Sequence, residues 1–219
     1  MTFEHHRVSD EEMYVFDTRG YLVVPRVLSD VEIDAANSAL DAKMDGAVTL
    51  KAGSLSGGAK RLAGSSGRTQ LTGMLGWEPQ HRAPFRAMLV HPVVVSRLNA
   101  FTGRGFRLDH GPLLISGRKG AEGHRLHGAG EPFSQSVWYH QQNGRIFCRG
   151  ITVAWQLADC GPGDGGFAVV PGSHKTAEPT PNEVRTLEDD MGLVEQPVMQ
   201  AGDLLFFAET ATHGTLPWQ

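Results

Sequence analysis

Two histidines, distant in the chain, each stand beside strand-like sequence. His140 lies in Tyr139-His140-Gln141-Gln142, and His213 follows the apolar run Leu204-Leu205-Phe206-Phe207. A neutral imidazole has one donor and one acceptor nitrogen, so it can shuttle a proton, bind a divalent metal or satisfy a buried neighbour. A polar ring placed soon after so apolar a strand needs either a hydrogen-bond partner or a metal. On a strand, side chains two apart share a face, so His140 and Gln142 project together. Taken alone, His140 reads most simply as a strand histidine bonded to a neighbour. A third group, Arg118, Lys119, His124, Arg125 and His127, occupies the glycine-rich segment 117–132. Its charge suits an anionic substrate or cosubstrate, or else a solvated loop. His5 and His6 fall in a polar tail, His174 reads as a loop residue, and His81, His91 and His110 have no metal-ligand spacing.

The elements that must position these side chains centre on residues 151–175. Ile151, Val153, Trp155 and Leu157 alternate with Thr152, Ala154, Gln156 and Ala158, the period of a strand. Gly161 to Gly166 interrupt it, and a second strand, Phe167 to Val170, stops at Pro171-Gly172. Asn143-Gly144 predicts a hairpin turn, because both positions tolerate positive φ, with Arg145 to Ala158 as one return strand. Further strands are predicted at Tyr21–Val24, 106–115, 194–199 and 204–207. Ser9-x-x-Glu12 and Ser29-x-x-Glu32 are capping boxes that open helices, the second carrying Val31, Ala35, Ala39 and Leu40 at helical spacing. Pro84–Leu89 and Pro92–Phe101 read as two more helices. The segment 47–67, punctuated by glycine, is too long for an ordinary connection and reads either as a flap over a site or as an unstructured insertion.

A chain of 219 residues suffices for one domain with a real core. Its formal charge of −4 provides no reason to expect nucleic acid or an anionic membrane as partner. No apolar run approaches the length of a membrane span, and the polar start lacks a signal-peptide core, so a cytoplasmic location is expected. Cys148 and Cys160 are too few for a disulfide framework and read as inert thiols.

Taken in order, the strand ending in Ala154-Trp155, the segment GDGGFAVVPGSHK (163–175) and GDLLFFAETATHG (202–214) resemble the phytanoyl-CoA dioxygenase family of non-haem iron oxygenases. The resemblance can be traced from about Tyr14 onward. It implies a double-stranded β-helix, or jelly roll, mainly β with flanking helices: a single domain over 1–219, with a helical layer over about 9–103 and a jelly-roll core over about 105–219 that lacks its last C-terminal strand. It implies Fe(II) as metal, 2-oxoglutarate as cosubstrate, molecular oxygen, and hydroxylation of a small organic substrate. Related chemistries are halogenation, and small-molecule binding without turnover.

Carried over by position, the family's His-x-Asp falls on His140 and Gln142, and its distal histidine on His213. The acidic ligand is therefore replaced here. Open candidates for that role are the Gln142 amide oxygen, His124, His127 or Glu131 from the preceding loop, Asn143, water or chloride. The family's cosubstrate-binding hydroxyl falls on Thr215, and Trp155 is expected beside the cosubstrate. The family's carboxylate-binding arginine would lie beyond Gln219, with Arg107, Arg145 or Arg149 as substitutes.

Overall fold

The structure, a computed structural model, describes residues 7–128 and 134–219. Among these residues five α-helices, α1 (Asp10–Arg19), α2 (Asp30–Asp41), α3 (Pro79–Leu89), α4 (Pro92–Thr102) and α5 (Asn182–Thr186), accompany eleven strands. The strands are β1 (Tyr21–Val24), β2 (Val48–Thr49), β3 (Thr69–Leu71), β4 (Leu114–Ser116), β5 (His124–His127), β6 (Tyr139–Gln142), β7 (Arg145–Cys148), β8 (Ile151–Trp155), β9 (Asp164–Val169), β10 (Leu204–Ala208) and β11 (His213–Trp218).

Two three-stranded antiparallel sheets, in the orders β1-β10-β8 and β5-β11-β9, form the centre of the molecule. Paired residues share a face, so the registers sort the side chains. Leu22, Phe206 and Val153 lie in one row and Leu204 and Trp155 in another, all turned toward α1 and α4. There Phe16 stacks on Phe101 with ring centroids 3.9 Å apart, and Phe101 meets Phe206 edge-on at 6.0 Å. The opposite face, carrying Tyr21, Leu205, Phe207 and Ala154, meets the second sheet, where Phe167 lies 4.8 Å from the Phe207 ring. Strict period-two alternation in Leu204–Ala208 thus serves two cores at once, and all five residues are buried. Each large side chain so buried contributes about 2 kcal/mol. Helices α2 and α3 close a further cluster of Ile33, Leu40, Phe85 and Met88.

Both capping boxes form, and the Asn143-Gly144 turn has φ of 53° and 68° as the hairpin requires. Other expectations are corrected. The predicted return strand divides at Arg149-Gly150: β7 stays with β6, whereas β8 leaves to pair with β10, because the Gly150 carbonyl accepts the Glu209 N–H. In 106–115 only the last two residues enter a strand, β4, and 194–199 supplies isolated bridges instead of a strand. In α2 the buried stripe is Ile33, Ala36, Ala39 and Leu40, while Val31 is 78% exposed. Cys148 and Cys160 are both free and buried, and burial pushes the Cys148 thiol up to about 12. Among the described residues no helix is long and apolar enough to cross a membrane.

Segment 47–67 is neither detached nor unstructured. The buried Glu122 carboxylate, just ahead of β5, accepts the backbone N–H groups of Gly53 (2.8 Å), Leu55 (3.2 Å) and Ser56 (3.2 Å). Backbone bonds Gly123 N to Leu62 O and Glu122 N to Ser66 O, each 2.8 Å, continue the attachment. Burial raises the Glu122 pKa, but the Ser56 hydroxyl and these amides outweigh it and hold the carboxyl below its ordinary range. Glu122→Gln places an amide donor against N–H groups and removes the charge, at a cost of about 1–3 kcal/mol to the attachment. Hydrogen exchange should show faster exchange at Gly53, Leu55 and Ser56 with β10 unchanged; retained protection at those amides would mean that the carboxylate does not hold the strap.

Candidate metal site

The pairing of β5 with β11 sets His127 directly opposite His213, with ring centroids 4.5 Å apart. A bulge between His213 and Thr215 then brings His124 opposite Thr215, so the His124 ring also meets the His127 ring, at 4.4 Å. Three imidazoles therefore line one short stretch of two strands.

Their hydrogen bonds fix their chemistry. The Nδ1 of His127 lies 2.9 Å from the Arg125 carbonyl, and the Nδ1 of His213 lies 2.7 Å from the Ala211 carbonyl. A carbonyl only accepts, so each Nδ1 carries the proton and each Nε2 keeps its lone pair, the arrangement that orients histidine as a metal ligand. His213 is buried against Phe207 (4.5 Å) and Phe167 (6.3 Å). Burial depresses its pKa, against the Ala211 hydrogen bond and with help from the neighbouring His127. Burial likewise brings His124 down to about 4, reinforced by the charges of His127, Arg68 and His213. Both rings are neutral at pH 7, the form in which imidazole binds a cation. The Thr215 hydroxyl, expected near the cosubstrate, lies on this same strand and accepts the His124 N–H at 3.0 Å.

The other expected ligands lie elsewhere. His140 stacks on Phe147 (4.6 Å, planes within 7°) and touches Trp138 (4.4 Å), on a hairpin that among the described residues pairs only with itself. No strand pairing or ring contact joins it to His213, and its buried Nδ1 has no hydrogen-bond partner among the described residues. Gln142 is exposed at the tip of that hairpin, opposite Arg145. Trp155 faces the helices and meets His91 edge-on at 5.6 Å, on the opposite side of its strand from Thr152 and Ala154. Arg149 lies over the Trp138 ring and Arg107 is an exposed partner of Asp109, so neither joins the imidazole group. His174 is structural: its Nε2 donates to the Asp17 carbonyl at 3.0 Å.

Among the described residues no three His, Cys, Asp or Glu side chains converge as a metal cluster, and Glu131 lies outside those residues. One carboxylate does bear on His213: Glu209, four residues earlier, accepts the Thr152 hydroxyl. The sequence reading missed the pairing of His127 with His213. The available signal was His-x-x-His in 124–127 around the fully buried Leu126, obscured by the glycines on either side.

The sequence matches the phytanoyl-CoA dioxygenase (PhyH) family over residues 16–218, and the chain belongs to that family of oxygenases. Its fold is shared with HygX from Streptomyces hygroscopicus, solved with nickel and 2-oxoglutarate bound: TM-score 0.75, 19% identity, covering 95% of this chain and 81% of that one. A HygX structure with nickel, 2-oxoglutarate and hygromycin B matches at TM-score 0.74 and 21% identity, covering 96% and 82%. SnoK, a non-haem α-ketoglutarate-dependent carbocyclase from nogalamycin biosynthesis, matches at TM-score 0.67 and 18% identity, covering 100% and 80%. No match was found among curated protein sequences.

Proposed function

We propose that this protein is an Fe(II)- and 2-oxoglutarate-dependent oxygenase of a small organic molecule, built on a jelly-roll frame, with His127 and His213 as the two imidazole ligands. The observation that carries this reading is the facing pair itself, each ring locked through Nδ1 to a carbonyl and each Nε2 keeping its lone pair. Two imidazoles suit a divalent iron whose remaining positions serve cosubstrate, oxygen and a third donor. The first imidazole is thus assigned to His127 in place of His140, because β5 and not β6 is the strand paired with β11.

Iron with bound 2-oxoglutarate supplies the oxidising power, coupling reduction of oxygen and release of succinate and CO2 to oxidation of a substrate C–H bond. The protein's own residues hold and shield. Arg125 and Ala211 carbonyls set the two rings, and Phe207 with Phe167 forms an apolar wall that keeps water from the buried side of His213. His127 is exposed, which leaves the opposite side open to incoming ligands. The complex of HygX with hygromycin B supports a small-molecule substrate.

Anaerobic addition of Fe(II) and 2-oxoglutarate to the purified protein should produce the visible charge-transfer band of an iron-bound keto acid, and admission of oxygen should release succinate. Absence of the band at saturating ligand would overturn the assignment in favour of a module that binds without turnover.

A further inference from the structure

We propose that Ser173 is a positioning residue of the metal site, its hydroxyl holding the peptide unit whose carbonyl orients the His213 ring. The inference deepens the proposed function and rests on it for His213 as an iron ligand.

The serine sits in a turn that brings it back to the end of β9. Gly172, at φ of 80°, reverses the chain after Val170-Pro171, so that the Ser173 N–H donates to the Val170 carbonyl at 3.2 Å. The Ser173 hydroxyl donates to that same carbonyl at 2.6 Å and accepts the Thr212 N–H at 2.7 Å. A carbonyl only accepts and a backbone N–H only donates, so these roles cannot be exchanged. Both residues are buried, Thr212 completely, and the serine instead of solvent supplies the Thr212 N–H with its acceptor.

The Thr212 N–H and the Ala211 carbonyl belong to one peptide unit. That unit is planar and trans, with its N–H and C=O pointing in opposite directions, so an acceptor fixed on one side sets where the carbonyl points on the other. There the Ala211 carbonyl accepts the Nδ1 proton of His213 at 2.7 Å. A continuous chain of hydrogen bonds thus runs from Val170 through Ser173 and the Ala211–Thr212 peptide to the imidazole, each bond polarising the next. At Nε2 the effect is twofold: the lone pair is aimed, and the ring is made a better donor to a cation by the strengthened acceptor at Nδ1. Thr212 has two other holds, its carbonyl accepting the Val170 N–H at 2.8 Å and its hydroxyl meeting that of Thr180 at 2.6 Å. Neither acts on the peptide unit that His213 uses.

The test compares Ser173→Ala, Ser173→Cys and Thr180→Val with the wild type. Each is read first by nitrogen NMR of the metal-free full chain with isotope-labelled histidine, the His213 signal being assigned by its loss in His213→Gln, and then by Fe(II) titration without oxygen. Wild type and Thr180→Val should show His213 as the Nδ1–H tautomer with a slowly exchanging proton. Both Ser173 variants should exchange that proton faster and admix the Nε2–H form. They should also bind Fe(II) about threefold to tenfold more weakly, less than the loss that follows removal of a ligand's direct partner. Cysteine fills the buried site while its sulfur accepts only weakly, so it carries the comparison if Ser173→Ala does not fold. A wild-type His213 signal or wild-type Fe(II) affinity in a folded Ser173 variant would overturn the proposal, as would an equal change in Thr180→Val or an Nε2–H tautomer in the wild type itself. Failure of the wild type to bind Fe(II) would instead reject the proposed function, with the metal-free spectra still deciding whether Ser173 holds His213.

Discussion

His127→Ala should lower Fe(II) affinity by about a hundredfold or more, whereas His140→Ala should leave it unchanged within the error of a titration. Loss of a residue that merely orients a ligand already costs roughly ten- to a hundredfold, so loss of the ligand itself sets the lower bound. His127 is exposed, so truncation opens no cavity and stability should stay nearly level. His140 packs on Phe147 and Trp138, so its removal is read in hairpin stability instead of in metal binding. His213→Ala should match His127→Ala in metal affinity but lose stability as well, because that ring is buried against Phe207. Measured against one metal buffer series, the reverse ranking, with His140→Ala severe and His127→Ala mild, would return the first imidazole to the hairpin.

The strands that carry strong local signals were legible: alternation in Ile151–Trp155, the apolar run Leu204–Phe207, the Asn143-Gly144 turn, and the capping boxes at Ser9 and Ser29 all form as those residues dictate. Each depends on neighbours within a few positions. The need of His213 for a partner was legible because a polar ring after an apolar strand must be accounted for locally. The partner of His213 was not, since which strand lies beside β11 depends on residues some ninety positions earlier. Spacing made His140 conspicuous, while β5 is only four residues long and sits among glycines that read as loop. Those glycines permit close approach: a Cβ on Gly123 would come 2.5 Å from the Thr215 carbonyl oxygen, and one on Gly214 2.4 Å from that of His124. What looked like irregular chain is the seam that lets β5 and the strap of residues 47–67 press against β11. Trp155 failed for a related reason: alternation told which residues share its face but not which face would meet the helices.

Between pH 7.5 and 4 the wild-type protein should lose about 2–3 kcal/mol of stability that His174→Gln retains. His174 is buried where the PGSHK turn meets the end of α1, its Nε2 donating to the Asp17 carbonyl and its Nδ1 without a partner among the described residues. Gly20 closes the site from the other side, so near that a Cβ would lie 2.4 Å from Nδ1. A second proton would thus enter a space with no acceptor. Burial, aided by the Lys175 charge and opposed by the Asp17 carbonyl and carboxylate, brings the ring to about 4 from its ordinary 6.5. The unfolded chain takes up the proton first, so stability is full above pH 6.5 and falls as pH drops toward 4, where the loss levels off. Other charges facing the ring act outside that window. Burial raises the Asp17 pKa, but hydrogen bonds from Tyr139 and Gln141 outweigh it and hold the carboxyl below its ordinary value, so its own contribution fades only at lower pH. Burial raises Tyr139, which stays neutral throughout. His124 shares the window, and its slope remains in both proteins. Glutamine keeps a donor for the Asp17 carbonyl and cannot titrate, so urea unfolding at successive pH values should give the variant the shallower slope. Parallel slopes would show that His174 is protonated in the folded protein as readily as in the unfolded chain.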